Sequence, residues 1–124
     1  MDELDALDKK FHKELYSGIT ALILLGVLDR AAEPMYGYQI AKLIEGERDE
    51  ASVKQGVLYP VLRSLESSGM LSSKVEPSVS GPPRRYYWIT DSGRQALGRW
   101  QTIWEQTKNF VDTIVKGTQD DKER

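Results

Sequence analysis

The apolar positions divide the chain into stretches of different period. Leu4, Leu7, Phe11 and Leu15 recur at spacings of three, four and four, which predicts an amphipathic helix at the amino terminus. Thr20 to Ala32 (TALILLGVLDRAA) is apolar nearly all round, so this helical stretch belongs at the centre of a core, and Pro34 stops it. A second helix is predicted from about Tyr36 to Ile44, with Ile40, Leu43 and Ile44 inward. Glu45 to Glu50 is polar, acidic and contains Gly46, and reads as a connecting loop. Ser52-Val53-Lys54-Gln55 then fits a capping box, with Ser52 capping a backbone N–H and Gln55 reaching back. The third helix that follows places Val57, Leu58, Val61, Leu62 and Leu65 on one face. Pro60 should kink it and Gly69 should end it in the left-handed conformation.

Two strands come next, Met70 to Pro77 and Arg84 to Ile89, joined by the loop SVSGPP. In the second strand Tyr87 and Ile89 share one face and Tyr86 and Trp88 the other. Thr90 is placed to cap the last helix, with Asp91 near its positive end. Leu97, Trp100, Trp104, Val111 and Ile114, with Thr107 completing the spacing, make a stripe of about three heptads. A helix of roughly 25 residues is longer than the domain it leaves can cover, so the stripe needs a partner surface. The order helix–helix–helix–strand–strand–helix is a winged helix-turn-helix arrangement, mainly α with a small β-hairpin. We divide it into a winged-helix domain with its amino-terminal helix (1–90), a carboxy-terminal dimerisation helix (91–116) and a flexible tail (117–124).

Composition narrows the chemistry. A chain of 124 residues is one domain's worth. The absence of cysteine excludes disulfides, thiolate metal sites and cysteine nucleophiles, and a single histidine excludes any mechanism with two imidazoles. His12 sits off the Leu4–Leu15 stripe and reads as a solvated helix residue. The carboxylates of Asp2/Glu3, Glu47/Asp49/Glu50 and Asp120/Asp121 lie in polar segments and read as solvated charge. No phosphate loop, zinc-protease motif or nucleophile elbow appears, so neither catalytic residue, metal nor cofactor is expected. The longest apolar run, Ala21 to Leu28, is eight residues, too short to span a bilayer, and the opening MDELDALDKK is acidic where a secretory signal is basic. A cytoplasmic protein without a membrane partner is the expectation.

The net charge of −2 hides an uneven distribution: −5 over residues 1–51, +4 over 52–99 and −1 over 100–124. A basic middle in an acidic chain is the footprint of one face meeting phosphate. On the third helix, Ser52, Lys54, Gln55, Gly56, Tyr59 and Arg63 would face a major groove. Gln suits an adenine edge, Lys or Arg suits guanine, and Gly56 allows close backbone approach. The plain alternatives are that Arg63 pairs with Glu66 and Tyr59 covers the helix kink. Arg84 and Arg85 lie beside Gly81 at the hairpin tip with Lys74 on the other strand, a basic wing suited to DNA backbone or minor groove. Charges at a hairpin end also protect an edge strand from pairing, which is the competing explanation.

Three stretches carry a resemblance. Thr20 to Ile44 (TALILLGVLDRAAEPMYGYQIAKLI), Leu58 to Leu71 (LYPVLRSLESSGML) and Gly81 to Leu97 (GPPRRYYWITDSGRQAL) together resemble the PadR family of transcriptional regulators. The resemblance implies a homodimeric winged-helix repressor whose two reading helices enter successive major grooves of a near-palindromic operator in double-stranded DNA. Carried over, Tyr36, Gly37 and Tyr38 begin the supporting helix, and Tyr38 joins the residues implied in DNA contact. Tyr59, Pro60 and Arg63 match the reading helix, Gly81, Arg84 and Arg85 the wing tip, and Tyr86 and Tyr87 the second wing strand. Trp88 departs from the pattern, standing where a basic or polar residue is common. The single last helix matches the short-tailed subgroup, in which that helix and the amino-terminal one build the dimer. This implies an interface containing Leu4, Leu7, Phe11, Leu97, Trp100, Trp104, Val111 and Ile114. Some family members respond to a small aromatic or hydrophobic effector near that interface, and Trp100 and Trp104 have the flat apolar faces such a ligand needs. The same residues also serve as plain interface anchors. A second reading of the whole chain is a winged-helix protein-interaction module without DNA reading, favoured by the acidic cluster from Glu45 to Glu50.

Overall fold

The computed structural model describes residues 2–47 and 55–117. In chain order the elements are α1 (Asp2–Arg30), β1 (Met35–Tyr36), α2 (Gly37–Glu47), α3 (Gln55–Ser67), β2 (Leu71–Glu76), β3 (Arg84–Ile89) and α4 (Asp91–Lys116).

The two apolar patterns at the amino terminus are one continuous helix whose halves differ in burial. Thr20, Leu24, Leu25 and Leu28 of the second half are buried, whereas Leu4, Leu7 and Phe11 of the first half are exposed. The Thr20 hydroxyl is satisfied within the helix by the Tyr16 carbonyl. α1 ends at Arg30, short of Ala32. By length and composition it is apolar enough to cross a membrane, which the eight-residue run understated. Its apolar half is nevertheless the centre of a folded core, with Leu24 and Leu25 fully buried. His12 is half-buried rather than freely solvated, stacked on Tyr16 with ring centroids 4.6 Å apart.

β1 was absent from the sequence reading, because two residues show no alternation. Met35 and Tyr36 pair antiparallel with Tyr87 and Tyr86, which turns the expected hairpin into a three-stranded sheet of order β1-β3-β2. Tyr36 is therefore a strand residue and not the start of the helix. Its N–H donates to Gln39 Oε1 at 3.1 Å, so Gln39 closes the first turn of α2 from inside. α2 runs on through Gly46 to Glu47, absorbing half of the expected loop. Its inward stripe is Ile40, Ala41 and Ile44, and Leu43 lies on the exposed side. On α3, Leu58, Leu62 and Leu65 are buried and Val57 is exposed, again a stripe narrower than the apolar positions suggested. α3 continues through Pro60, whose lost hydrogen bond would be to the carbonyl of exposed Gly56.

α3 ends as expected at Gly69, whose φ of 81° is the left-handed region. The Met70 N–H donates to the Leu65 carbonyl and the Gly69 N–H to that of Glu66, both at 2.9 Å, which is a complete Schellman motif. β2 and β3 then pair from Leu71↔Ile89 to Glu76↔Arg84. Tyr87 and Ile89 are buried and Trp88 exposed, as the alternation required. Thr90 caps α4: its Oγ1 accepts from the Gly93 N–H at 3.0 Å and donates to the Gly69 carbonyl at 2.6 Å. One hydroxyl thus joins the α3–β2 turn to the start of α4. The core is filled by Leu24 and Leu25 of α1, Ile40 of α2, Leu58 and Leu62 of α3, and Leu71 of β2. Each such side chain is worth roughly 1.5–3 kcal/mol of apolar burial.

Candidate nucleic-acid interface

The site begins where β1 meets α2. Gly37 is buried, and the ring of Tyr59 on α3 occupies the space its side chain would take. Tyr59 therefore does more than cover Pro60: it is the contact that seats α3 on the start of α2. Beside it on α3, Gly56 and Arg63 are exposed. No ion pair joins Arg63 to Glu66 among the described residues, because Glu66 Oε2 instead accepts from Ser73 Oγ on β2 at 2.6 Å. Ser52 and Lys54, together with the capping box and the Asp49/Glu50 cluster, lie outside the described residues, as does the tail from 118. Gln55 is the first residue of α3.

The wing is held by the neighbouring residue. Tyr36 carries the Arg84 guanidinium over its ring at 4.5 Å and meets Tyr86 edge-on at 5.4 Å. Tyr38, half exposed, lies nearly parallel to Tyr36 with centroids 6.5 Å apart, and Lys42 Nζ stands 5.7 Å from the Tyr38 ring. The two wing arginines consequently do not project together from the hairpin tip. Arg84 folds back over the aromatic cluster, while Arg85 Nη1 donates to Ser73 Oγ at 2.9 Å. Lys74 and Gly81 are exposed, and Gly81 takes a φ of 134° that its loop position needs.

Tyr87, buried between α3 and the sheet, reports the electrostatics of this junction. Burial pushes its hydroxyl above the ordinary 10.0 and the Glu66 charge adds to that, with Arg85 and Arg63 opposing. Cations from the wing and from α3 thus act on one buried group. Sequence reading missed Lys42 and Ser73 as parts of this surface, since neither has a local signal, and named Glu66 only as a partner for Arg63, whereas it bonds Ser73. Gly37 between two tyrosines did have one, because a small residue flanked by aromatics marks a close approach.

A second surface lies away from the first. Leu4, Leu7, Phe11, Val111 and Ile114 are exposed, as are Ile103, Phe110 and Val115, which the heptad stripe did not include. Ile103, Thr107, Phe110 and Ile114 form a second stripe at spacings of four, three and four, so the apolar face of α4 is broader than one seam. Leu97 and Trp100 are half-buried and pack on the chain's own core. A cavity of about 610 Å³ opens between α1 and α4, lined by Leu15, Ile19, Leu22, Trp100, Ile103 and Trp104 among others.

Residues 24–99 match the model of the transcriptional regulator PadR-like family. The chain belongs to the PadR family. It is a transcriptional regulator of that family, and solved relatives share its fold over most of the chain. A PadR family regulator from Eggerthella lenta superposes with a TM-score of 0.81 at 28% identity, over 95% of this chain and all of that one. A transcriptional regulator of Mycobacterium tuberculosis is 37% identical over 78 residues, covering 62% of this chain and 70% of its own. PadR of Bacillus subtilis, solved in complex with operator DNA, matches with a TM-score of 0.61 at 26% identity, over 67% of this chain and 47% of that one.

Proposed function

We propose that this PadR regulator is a homodimeric, sequence-specific DNA-binding repressor. The observation that carries the reading is that two consecutive residues hold both candidate DNA elements: Tyr36 carries Arg84 of the wing, and Gly37 receives Tyr59 of α3. A reading helix and a wing fixed to one short segment present a rigid pair of contacts, one for base edges and one for backbone. The likeness to a relative solved in complex with operator DNA supports DNA as the partner. Gln55, Gly56, Tyr59 and Arg63 are the proposed reading face, with Ser52 and Lys54 before it, and Tyr38, Lys74, Gly81 and Arg84 the flanking contacts.

Two copies joined through α4 and the first half of α1 would cover the exposed apolar stripes and set the separation of the two reading helices. The cavity beside Trp100 and Trp104 suits a small aromatic or hydrophobic effector. Such a ligand acts only if it binds one helix spacing better than the other. A regulator of this kind works in the cytoplasm of a prokaryotic cell, where the DNA lies.

The test is selection of bound fragments from the source genome by purified protein at two salt concentrations. A shared inverted repeat that persists at the higher salt is the expected result, and Gln55→Ala should relax the preference at particular bases within it. Fragments held only at low salt without a common motif would leave a nonspecific binder. No retention at either salt would favour the protein-interaction module.

A further inference from the structure

We propose that Arg85 is a positioning residue that locks the wing to α3 through Ser73 and Glu66, while its neighbour Arg84 makes the wing's phosphate contact. The inference rests on the DNA-binding reading above and divides the labour between two adjacent arginines that look equivalent in sequence.

Adjacent strand residues face opposite sides of a sheet. On β3, Arg85 shares its side with buried Tyr87 and Ile89, whereas Arg84 shares its side with half-buried Tyr86 and exposed Trp88. Arg84 accordingly meets Tyr36 across the outer face. Arg85 lies on the inner face, where Ser73 is opposite Tyr87 in the β2–β3 register. There the three side chains form a directed chain: Arg85 Nη1 donates to Ser73 Oγ at 2.9 Å, and Ser73 Oγ donates to Glu66 Oε2 at 2.6 Å. Both bonds involve an ionised group, the stronger kind of hydrogen bond, and the chain crosses three elements, β3, β2 and α3. A guanidinium that spends a donor inward on the Ser73 hydroxyl is held in place rather than free to reach DNA. Neither guanidinium has a carboxylate within ion-pair distance among the described residues; what separates them is that Arg85 is linked to Glu66 through the Ser73 hydroxyl, whereas Arg84 rests on a ring face. The lock fixes the angle between wing and reading helix, which is what a two-element reader needs from its hinge.

The experiment measures affinity for the selected operator against salt for the full-length protein and five variants. Arg84→Ala should flatten the plot of log affinity against log salt by about 0.9, the signature of one lost phosphate contact. Arg85→Ala should lower affinity about fivefold, the scale of one hydrogen-bonded link, with the slope unchanged. Ser73→Ala should do the same, and Ser73→Ala/Arg85→Ala should be no weaker than either alone, because both act through one link. Ser73→Thr, which keeps the hydroxyl, should restore wild-type affinity and guards against a folding defect. In the free protein, NMR relaxation at wing amides around Val79 should show added fast motion in Ser73→Ala and Arg85→Ala, but not in Ser73→Thr. A flattened slope for Arg85→Ala, additive losses, or unchanged wing motion overturns the proposal. If the wild type binds no DNA, the functional reading falls, and the relaxation data alone decide whether the lock exists.

Discussion

Tyr59 on α3 packs against the first residue of α2: a Cβ added to Gly37 would stand 2.8 Å from its ring Cζ and 2.9 Å from its hydroxyl oxygen. The two helices of the helix-turn-helix are therefore spaced by one ring. Gly37→Ala must displace that ring or the helix behind it. We expect it to destabilise the fold by roughly 1–3 kcal/mol, the cost of overpacking, and to weaken DNA binding further by tilting α3. Urea denaturation of Gly37→Ala, and of Gly37→Ala with Tyr59→Leu, checks this. The smaller side chain at position 59 should recover part of the lost stability, and an unaffected single variant would contradict the spacing argument.

Thr90 joins two elements with one hydroxyl, capping α4 through Gly93 and bonding the Gly69 carbonyl in the turn after α3. Gly93 itself admits no side chain, since a Cβ there would lie 2.6 Å from Ile89 Cγ1 and against the Met70 carbonyl. Thr90→Val keeps the shape and removes the hydroxyl. It should cost about 1–2 kcal/mol, while Thr90→Ser should cost much less. Thermal unfolding of the two variants gives the comparison, and equal losses would mean that the methyl group matters as much as the hydroxyl.

These two cases also show what could be read from the sequence. The Thr90 cap, the Gly69 turn and the Tyr87/Ile89 alternation were legible because each is a local rule, satisfied within a few residues of chain. β1 was not, since Met35 and Tyr36 are too few to alternate and owe their conformation to pairing with β3. The same holds for the site. That Arg63, Arg84 and Arg85 are exposed cations followed from their positions, but their different partners did not. Arg84 over Tyr36 and Arg85 on Ser73 arise because β3 is the central strand, pairing with β1 on one edge and β2 on the other, while adjacent arginines face opposite sides of the sheet. The inward stripes of α2 and α3 are narrower than their apolar positions for a related reason: Leu43 and Val57 are apolar but lie off the buried cluster, each exposed among the described residues.

The raised Tyr87 hydroxyl predicts a pH dependence of defined sign. Burial, aided by Glu66, keeps this group protonated in the folded state above the ordinary 10.0. The unfolded chain releases the proton first, so stability is fully present below pH 10 and is lost as pH rises through the folded-state value. Lysines titrate in the same range, so the informative quantity is a difference. Wild-type stability minus that of Tyr87→Phe should decline between pH 9 and 11, and a flat difference would contradict the burial argument.

The exposed stripes predict an oligomer. Ile114 is about two-thirds exposed and lies on both apolar stripes of α4. Placing a charge there, in Ile114→Asp, should convert a dimer to a monomer with helix content unchanged, because nothing in the chain's own core touches that position. Sedimentation equilibrium at micromolar protein decides the matter. A wild-type monomer, or a dimer indifferent to Ile114→Asp, would count against dimerisation through α4.

The central claim is that two copies of α3, each with its wing, read one DNA site together. Hydroxyl-radical footprinting of the wild-type protein on the recovered operator tests it most directly. The account predicts two protected half-sites related by two-fold symmetry, their centres about 34 Å apart or a multiple of it, with weaker protection flanking each where the wing lies. A single protected half-site, or protection without symmetry, would contradict it.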